Sequence, residues 1–328
     1  MIKKIVEQPE IYSVYIPLPN NPLKNLNCYV MKTDAGNLVV DTGFNQPECF
    51  EALTEGLREL NVDMNNTTLF LTHIHSDHTG LIERIRTEKT RVIIGAKDYD
   101  YFSRSLSGNV WKLFNQRFIA EGFPESDVYA QEKVNPAVVY ALKNLFKATP
   151  INDGESFFIG NYEFECVLTP GHTLGHTCLY LKNEKIMFLG DHVLFDISPN
   201  ITCWPYVKDS LNDYLTSLDK IATYDIRVAL PAHRNNKMDV YERIVQLKKH
   251  HAERIESTLD IVKKKEYQNA YEIAGQLKWS LRGKTWDECP IQQKWFAVGE
   301  TMSHLDYLVE RKRIVKIKDG KIFVYRAK

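Results

Sequence analysis

Short apolar runs alternate with longer amphipathic segments through the first two thirds of the chain. The runs Ile11 to Leu18 and Asn27 to Thr33 have the length of strands, whereas Pro47 to Leu60 carries apolar residues at helical spacing. The same criteria predict further strands at residues 37–41, 68–71, 91–95, 164–169, 185–189 and 227–232, and around Cys178, which alternates with Thr177 and Leu179. Strands that alternate with helices in this way predict an α/β fold.

An aromatic segment at about residues 98–148 interrupts this alternation. Its rings recur mostly at helical spacing, and so many of them cannot all face solvent, so we predict a helical insertion that caps the rest of the fold. We expect Trp111, Phe114 and Phe118 to line an apolar substrate pocket. The alternative is that these rings only pack the helices against the main domain or against a second subunit. The loop at residues 195–206 is expected to line the same cleft.

The last ninety residues have a different pattern. Apolar positions predict helices at about 240–262, 271–277 and 291–309, and strict alternation around Asp319 and Gly320 predicts a terminal hairpin. We therefore expect two domains, one at residues 1–238 and one at residues 239–328.

Histidine and aspartate side chains follow several of the predicted strands. The motif HIHSDH at 73–78 comes directly after an apolar run and contains three of the ten histidines in the chain. Imidazole and carboxylate groups are the ligands that zinc and similar divalent metals prefer. Candidates for the remaining ligands stand after three later strands, each beside a glycine or proline that allows a sharp turn: His172, Asp191 and His233.

With HIHSDH at 73–78, TPGHTLGH at 169–176, GD at 190–191 and PAH at 231–233, the chain resembles the metallo-β-lactamase superfamily over roughly residues 12–235. The resemblance implies a four-layer αββα sandwich with two metal ions. One ion would be held by His73, His75 and His172, and the other by Asp77, His78 and His233. Asp191 would bridge the two. The helices and hairpin at residues 239–328 resemble the winged-helix domain of some superfamily members.

The resemblance also implies a reaction. A metal-bound hydroxide would attack the carbonyl carbon of an ester, thioester or lactone of a small acyl substrate, and Asp77 would steer it. His75 stands where flavodiiron relatives have glutamate, which favours hydrolysis. The two ions are expected to be zinc, with iron or manganese as alternatives, because similar ligand sets also hold iron. The residues expected to hydrogen-bond the ligands from outside are His176, His192 and Asp196.

Charge and composition decide between this hydrolase and a rival, an RNA-processing endoribonuclease with the same metal site. The chain has 42 basic and 42 acidic residues, and residues 239–328 carry 19 basic against 13 acidic residues. So small a bias disfavours a nucleic-acid partner. No run approaches the ~20 apolar residues of a membrane span. The six cysteines have no regular spacing, which is typical of a cytoplasmic protein with reduced thiols. A homodimer is left open.

Overall fold

Two β-sheets form the centre of the molecule, which a computed structural model describes at residues 1–280 and 283–328. The first sheet has its strands in chain order, antiparallel up to the fourth and parallel thereafter. They are β1 (Ile2–Val6), β2 (Glu10–Pro17), β3 (Asn25–Thr33), β4 (Gly36–Val40), β5 (Thr67–Leu71), β6 (Arg91–Gly95) and β7 (Thr149–Ile151).

The second sheet has the order β12-β11-β10-β9-β8 and is antiparallel except for the β11–β12 pair. Its strands are β8 (Ser156–Ile159), β9 (Tyr162–Leu168), β10 (Thr177–Leu181), β11 (Ile186–Gly190) and β12 (Val228–Pro231). The predicted strands are therefore confirmed within a residue or two, and β1, β7 and β8 are additional.

Helices lie along the chain between and after these strands. They are α1 (Pro47–Glu59), α2 (Ser76–Thr79), α3 (Ile82–Ile85), α4 (Ala96–Ser105), α5 (Asn109–Ala120), α6 (Glu125–Glu132), α7 (Pro136–Val139), α8 (Ser210–Ile221), α9 (Val240–Lys264), α10 (Ala270–Ala274) and α11 (Ile291–Glu310). The predicted helical insertion corresponds to α4–α7. Among the described residues, no helix is both long enough and apolar enough to cross a membrane.

The facing sides of the two sheets share a core of apolar side chains, including Phe157 stacked on Phe164 at 5.2 Å between ring centroids. Helix α1 covers the outer side of the first sheet. A Cβ atom at Gly56 of this helix would lie 2.5 Å from the Val14 side chain, so only glycine allows the helix to pack so closely on β2. Helices α8 and α9 share a core with the outer side of the second sheet, and α11 packs on both helices. This arrangement is the four-layer αββα sandwich that was predicted.

The C-terminal segment forms three helices, α9 to α11, and a hairpin of β13 (Ile314–Asp319) and β14 (Ile322–Ala327), as predicted. Its apolar side chains belong to the same core as the insertion and the outer side of the second sheet. Trp295 of α11 stacks on Phe118 of α5, with ring centroids 4.8 Å apart and planes at 7°. The boundary at residue 238 and the winged-helix likeness stay predictions.

Candidate metal centre

The seven predicted ligands converge where four strands end. His73 and His75 follow β5, and His75 precedes the short helix α2, which carries Asp77 and His78. His172 lies in the turn between β9 and β10, Asp191 directly follows β11, and His233 lies two residues after β12. The sequence spreads these residues over 160 positions, and the fold brings them into one cleft.

Three imidazoles form the first group. Nε2 of His73 and Nε2 of His172 each lie 3.0 Å from Nδ1 of His75. A tetrahedral zinc ion with Zn–N bonds of about 2.0–2.1 Å holds its nitrogen ligands roughly 3.3 Å apart. The spacing of the three nitrogens is therefore close to that of a metal-ligand set.

A carboxylate and two imidazoles form the second group. Oδ2 of Asp77 lies 3.4 Å from Nε2 of His233 and 3.8 Å from Nε2 of His78. These three ligand atoms lie within 4.8 Å of one another. One oxygen and two nitrogens on a compact triangle fit a borderline divalent ion.

Asp191 lies between the two groups. Its Oδ1 is 3.2 Å from Nε2 of His233 and 3.6 Å from Nε2 of His78, whereas its Oδ2 is 3.5 Å from Nε2 of His172. Each oxygen of this carboxylate thus faces a different group, which is the geometry that a bridging ligand needs.

Several ligand atoms are buried without a hydrogen-bond partner in the part of the chain that the structure describes. They are Nε2 of His78, Nε2 of His233 and Oδ1 of Asp191. An unpaired buried polar atom costs about 1–3 kcal/mol. A cation that lies among these three atoms would offset that cost by interacting with all of them. The residues present therefore fit divalent metal binding.

Outer hydrogen bonds orient the imidazoles. Nδ1 of His78 lies 2.8 Å from Oδ2 of Asp41, Nδ1 of His233 lies 2.7 Å from the Asn25 carbonyl oxygen, and Nδ1 of His172 lies 2.9 Å from the Asn200 carbonyl oxygen. An N–H that donates to such an oxygen leaves Nε2 unprotonated and available to a metal. The sequence did not indicate these contacts of Asn25 and Asn200, because a carbonyl oxygen has no side-chain signature.

The three residues predicted to support the ligands differ in placement. His176 supports a ligand, because its Nε2 accepts a hydrogen bond from the Asp191 amide at 3.0 Å. Its Nδ1 lies 2.8 Å from Oγ1 of Thr169. His192 is buried 5.3 Å from the Tyr214 ring, and neither ring nitrogen has a partner among the described residues. Asp196 is exposed and accepts hydrogen bonds from Asn235.

Asp98 connects two of the ligand-bearing loops, the one that carries His73 and the one that carries His172, a role that the sequence did not indicate. Its Oδ2 accepts hydrogen bonds from the Ile74 amide at 3.1 Å and the Thr173 hydroxyl at 2.7 Å, and its Oδ1 accepts from the Gly175 amide. Burial raises the pKa of this carboxyl to about 7, although the three hydrogen bonds act to lower it. The sequence signal for this role was an aspartate three residues after β6, and such a signal is weak.

The histidines of the two ligand groups differ in the direction of their pKa shifts. Burial lowers the pKa of His75 to about 3 and lowers the pKa of His172, which keeps both imidazoles in the neutral form that binds metals. At His233 burial also opposes protonation, but the nearby Asp191 and Asp77 carboxylates raise its pKa well above the ordinary value. The carboxylates thus attract positive charge to the second group, which a bound cation would supply.

Aromatic side chains flank the centre on the side of the insertion. Trp204 stacks on the His75 ring at 5.9 Å and contacts Phe114 edge-on at 5.7 Å. Of the three rings predicted to bind substrate, Trp111 is half-buried, Phe114 is 3% exposed and Phe118 is fully buried. Phe114 and Phe118 are therefore buried in the core, and a substrate contact at the three rings stays a prediction.

The metallo-beta-lactamase superfamily model matches residues 22–233, a span that includes all seven ligand candidates. The chain belongs to this superfamily. Among curated proteins it is 26% identical over 237 residues to the lactamase-like protein adaB of Aspergillus niger, an alignment that covers 72% of this chain and 58% of that protein. It is 27% identical over 216 residues to the atrochrysone carboxyl ACP thioesterase of Emericella nidulans, covering 66% of this chain and 53% of that protein.

Two solved superfamily structures extend the likeness to the C-terminal helices. A metallo-beta-lactamase family protein from Thermus thermophilus has a TM-score of 0.78 and 28% identity, with 97% of this chain and 98% of that chain covered. A beta-lactamase domain protein from Burkholderia ambifaria has a TM-score of 0.84 at 20% identity, with 99% and 94% covered. The fold is therefore shared over nearly the full chain, whereas the chain spans a little over half the length of the two curated relatives.

Proposed function

We propose that this superfamily hydrolase uses two divalent metal ions to cleave an ester, thioester or lactone of a small acyl substrate. The observation that carries the proposal is the position of Asp191, whose two carboxylate oxygens face two separate groups of ligand atoms. The likeness to a protein named atrochrysone carboxyl ACP thioesterase favours a thioester among the three bond types.

Each side chain of the centre has a proposed role. His73, His75 and His172 hold one ion, Asp77, His78 and His233 hold the other, and Asp191 binds both. The nitrogen-rich donor set suits zinc first, with iron or manganese as alternatives. Bound ions of this kind supply a hydroxide nucleophile at neutral pH and polarise the carbonyl group that it attacks.

Asp77 is proposed to orient the nucleophile. Burial favours the protonated form, but the charges of His78 and His233 outweigh it and lower the pKa of Asp77, so the carboxylate is ionised at neutral pH. An ionised carboxylate accepts a hydrogen bond from the attacking oxygen and can take up its proton for transfer to the leaving group. Only 6% of Asp77 is exposed, so bulk water competes little for this contact.

The insertion is proposed to recognise the acyl group. Trp111 is the accessible ring of the three predicted there, and Trp204 provides an apolar wall against His75. A cytoplasmic location is also proposed, because all six cysteines are free thiols in buried positions, as expected in a reducing compartment.

The test compares the wild-type protein with Asp191→Ala after both are loaded with zinc. We expect the wild type to bind two ions per chain and to hydrolyse at least one member of a panel of acyl thioesters, aryl esters and lactones. Asp191→Ala should bind fewer ions and lose activity, since ligand loss outweighs any packing change at a short side chain. Asp196→Ala, an exposed aspartate nearby in sequence, is the control. A wild type without metal, or one that cleaves only RNA, would refute the proposal.

A further inference from the structure

A buried polar connection links the C-terminal helix α11 to the metal centre through the loop at residues 199–204. Asn200 of this loop accepts a hydrogen bond from His172 on its carbonyl oxygen, and its side-chain amide donates to Oε2 of Glu300 at 3.1 Å. The same amide lies 3.4 Å from the Phe296 carbonyl oxygen. Asn200 is therefore held by α11 on one side and orients a predicted metal ligand on the other.

Further contacts fix the loop against α11. The Ser303 hydroxyl donates to the Ile201 carbonyl oxygen at 2.6 Å. A Cβ atom at Gly299 would lie 2.4 Å from Oγ1 of Thr202, so the helix touches the loop without space for a side chain. The indole N–H of Trp204 donates to the His172 carbonyl oxygen at 3.0 Å. The loop thus holds both the ring and the backbone of His172.

Glu300 occupies an unusual position for a glutamate. It is 9% exposed, and its Oε1 lies 3.4 Å from Nε of Arg254, whose guanidinium lies over the Trp279 ring at 4.1 Å. A buried carboxylate is costly unless it is paired. Pairing with Arg254 on α9 and Asn200 on the loop offsets that cost only when the loop stays in this conformation.

We propose that Glu300 is a positioning residue for the metal centre, acting through Asn200 on His172. The inference rests on the proposed function, because it assigns His172 as a ligand. Loss of the Glu300 carboxylate frees the Asn200 side chain, the carbonyl oxygen of Asn200 shifts, and the His172 imidazole is no longer held at the angle that the first ion requires. The C-terminal helices thereby contribute to the geometry of a centre that contains none of their residues.

The test measures metal affinity and cobalt spectra. Mutation of a residue that hydrogen-bonds a metal ligand typically lowers metal affinity by about 10- to 100-fold. Glu300 contacts Asn200 and not the ligand itself, so we expect a smaller effect. We expect Glu300→Ala to weaken zinc binding by about threefold to tenfold and to shift the visible absorption bands of the cobalt-loaded protein. Glu300→Gln, which still accepts the hydrogen bond from Asn200, should restore most of both. Thr301→Val is the matched control, because the buried Thr301 hydroxyl bonds only the Ala297 carbonyl of its own helix among the described residues.

Asn200→Ala provides the second variant. It keeps the carbonyl oxygen but loses the amide, so it should reproduce the effect of Glu300→Ala, and the double variant should be no worse than either single one. Unchanged zinc affinity and cobalt spectra in both single variants would overturn the positioning role while leaving the hydrolase proposal intact. A wild type that binds no metal would refute both. Equal losses in Thr301→Val would show general disruption of α11 instead.

Discussion

The Asp41 carboxylate lies 2.8 Å from Nδ1 of His78, and both side chains are buried. Oδ1 of Asp41 also accepts a hydrogen bond from the Thr72 amide at 2.9 Å, which ties the end of β4 to the loop that carries four of the ligands. The residue has a φ of 62°, a left-handed conformation that aspartate and asparagine tolerate better than most residues. Asparagine is thus the substitution that removes the charge with the least backbone strain.

We predict that Asp41→Asn weakens zinc binding by about tenfold or more, because a carboxylate partner makes the His78 imidazole a stronger ligand. Competition with a chelator measures the affinity. Asn25→Ala is the control: His233 contacts the carbonyl oxygen of Asn25, not its side chain, so affinity should stay near that of the wild type. Equal affinities in Asp41→Asn and the wild type would contradict this role.

Trp111 and Phe118 should respond differently to truncation. Trp111→Ala should change the preference among acyl chain lengths by about 1–3 kcal/mol per methylene contact, without altering metal content. Phe118→Ala should instead destabilise the fold by about 3–5 kcal/mol, because this ring is fully buried against Trp295. Values of kcat/KM for a series of acyl thioesters and urea unfolding separate the effects. An unchanged substrate profile in Trp111→Ala would assign that ring to packing as well.

Two buried histidines of the C-terminal helices should make stability depend on pH. Nδ1 of His251 lies 3.2 Å from Nε2 of His304, and burial lowers the pKa of both, to about 3 for His304. The unfolded chain takes up protons below pH ~6.5 that the folded chain does not. The two buried neutral histidines therefore make their full contribution to the free energy of unfolding above pH ~6.5, and this contribution is lost as the pH falls toward 3.

Urea unfolding between about pH 4.5 and 7.5, at fixed zinc concentration, tests this dependence. We expect the free energy of unfolding to fall by up to about 1.4 kcal/mol per pH unit for each of the two histidines. His251→Gln should remove one contribution and flatten the curve below pH ~6.5. The metal-site histidines are common to both proteins, so the difference between the curves isolates His251. Parallel curves would show that His251 does not titrate on unfolding.

The basic residues near the C-terminal hairpin should not bind RNA at physiological ionic strength. Two of them are already paired: Arg313 donates to both carboxylate oxygens of Glu256, and Lys316 pairs with the buried carboxylate of Glu121. Fluorescence anisotropy of single-stranded RNA across a salt series should show no steep dependence, whereas phosphate contacts give a slope of about −0.7 each.

The exposed Lys312 and Lys318 make the cleaner charge reversals, because replacing Lys316 would also remove the ion pair of the buried Glu121 carboxylate. A tight RNA complex that weakens with salt and is lost in a Lys312→Glu and Lys318→Glu double variant would favour the nuclease instead.

The convergence of the seven ligand candidates was predictable because each is a metal-binding side chain in a segment that follows a strand, and the strand ends at one edge of the sandwich meet in space. His73 and His233 are examples: local sequence indicates both the residue type and the end of its strand. The α/β layers were predictable for a similar reason, since apolar periodicity reports which side of a strand or helix is buried.

Apart from His176, the residues that support the site were not predictable, because their partners are distant in sequence. Asn200 acts through its backbone carbonyl and Glu300 lies 100 positions away, so neither has a local signature. Aromatic spacing correctly predicted helices in the insertion. It did not indicate that Phe118 stacks on Trp295 of α11, since periodicity identifies a buried face but not what covers it.

The contact between α11 and the loop at residues 199–204 has a consequence for synthesis on the ribosome. All seven ligand candidates have been translated once His233 is made, well before the helix that begins at Ile291. Domains generally fold as units during translation, N-terminal parts first. A nascent chain that binds metal early would do so with His172 held by a loop still lacking its support from Glu300 and Ser303. We therefore expect the centre to reach its mature geometry only after α11 has left the exit tunnel.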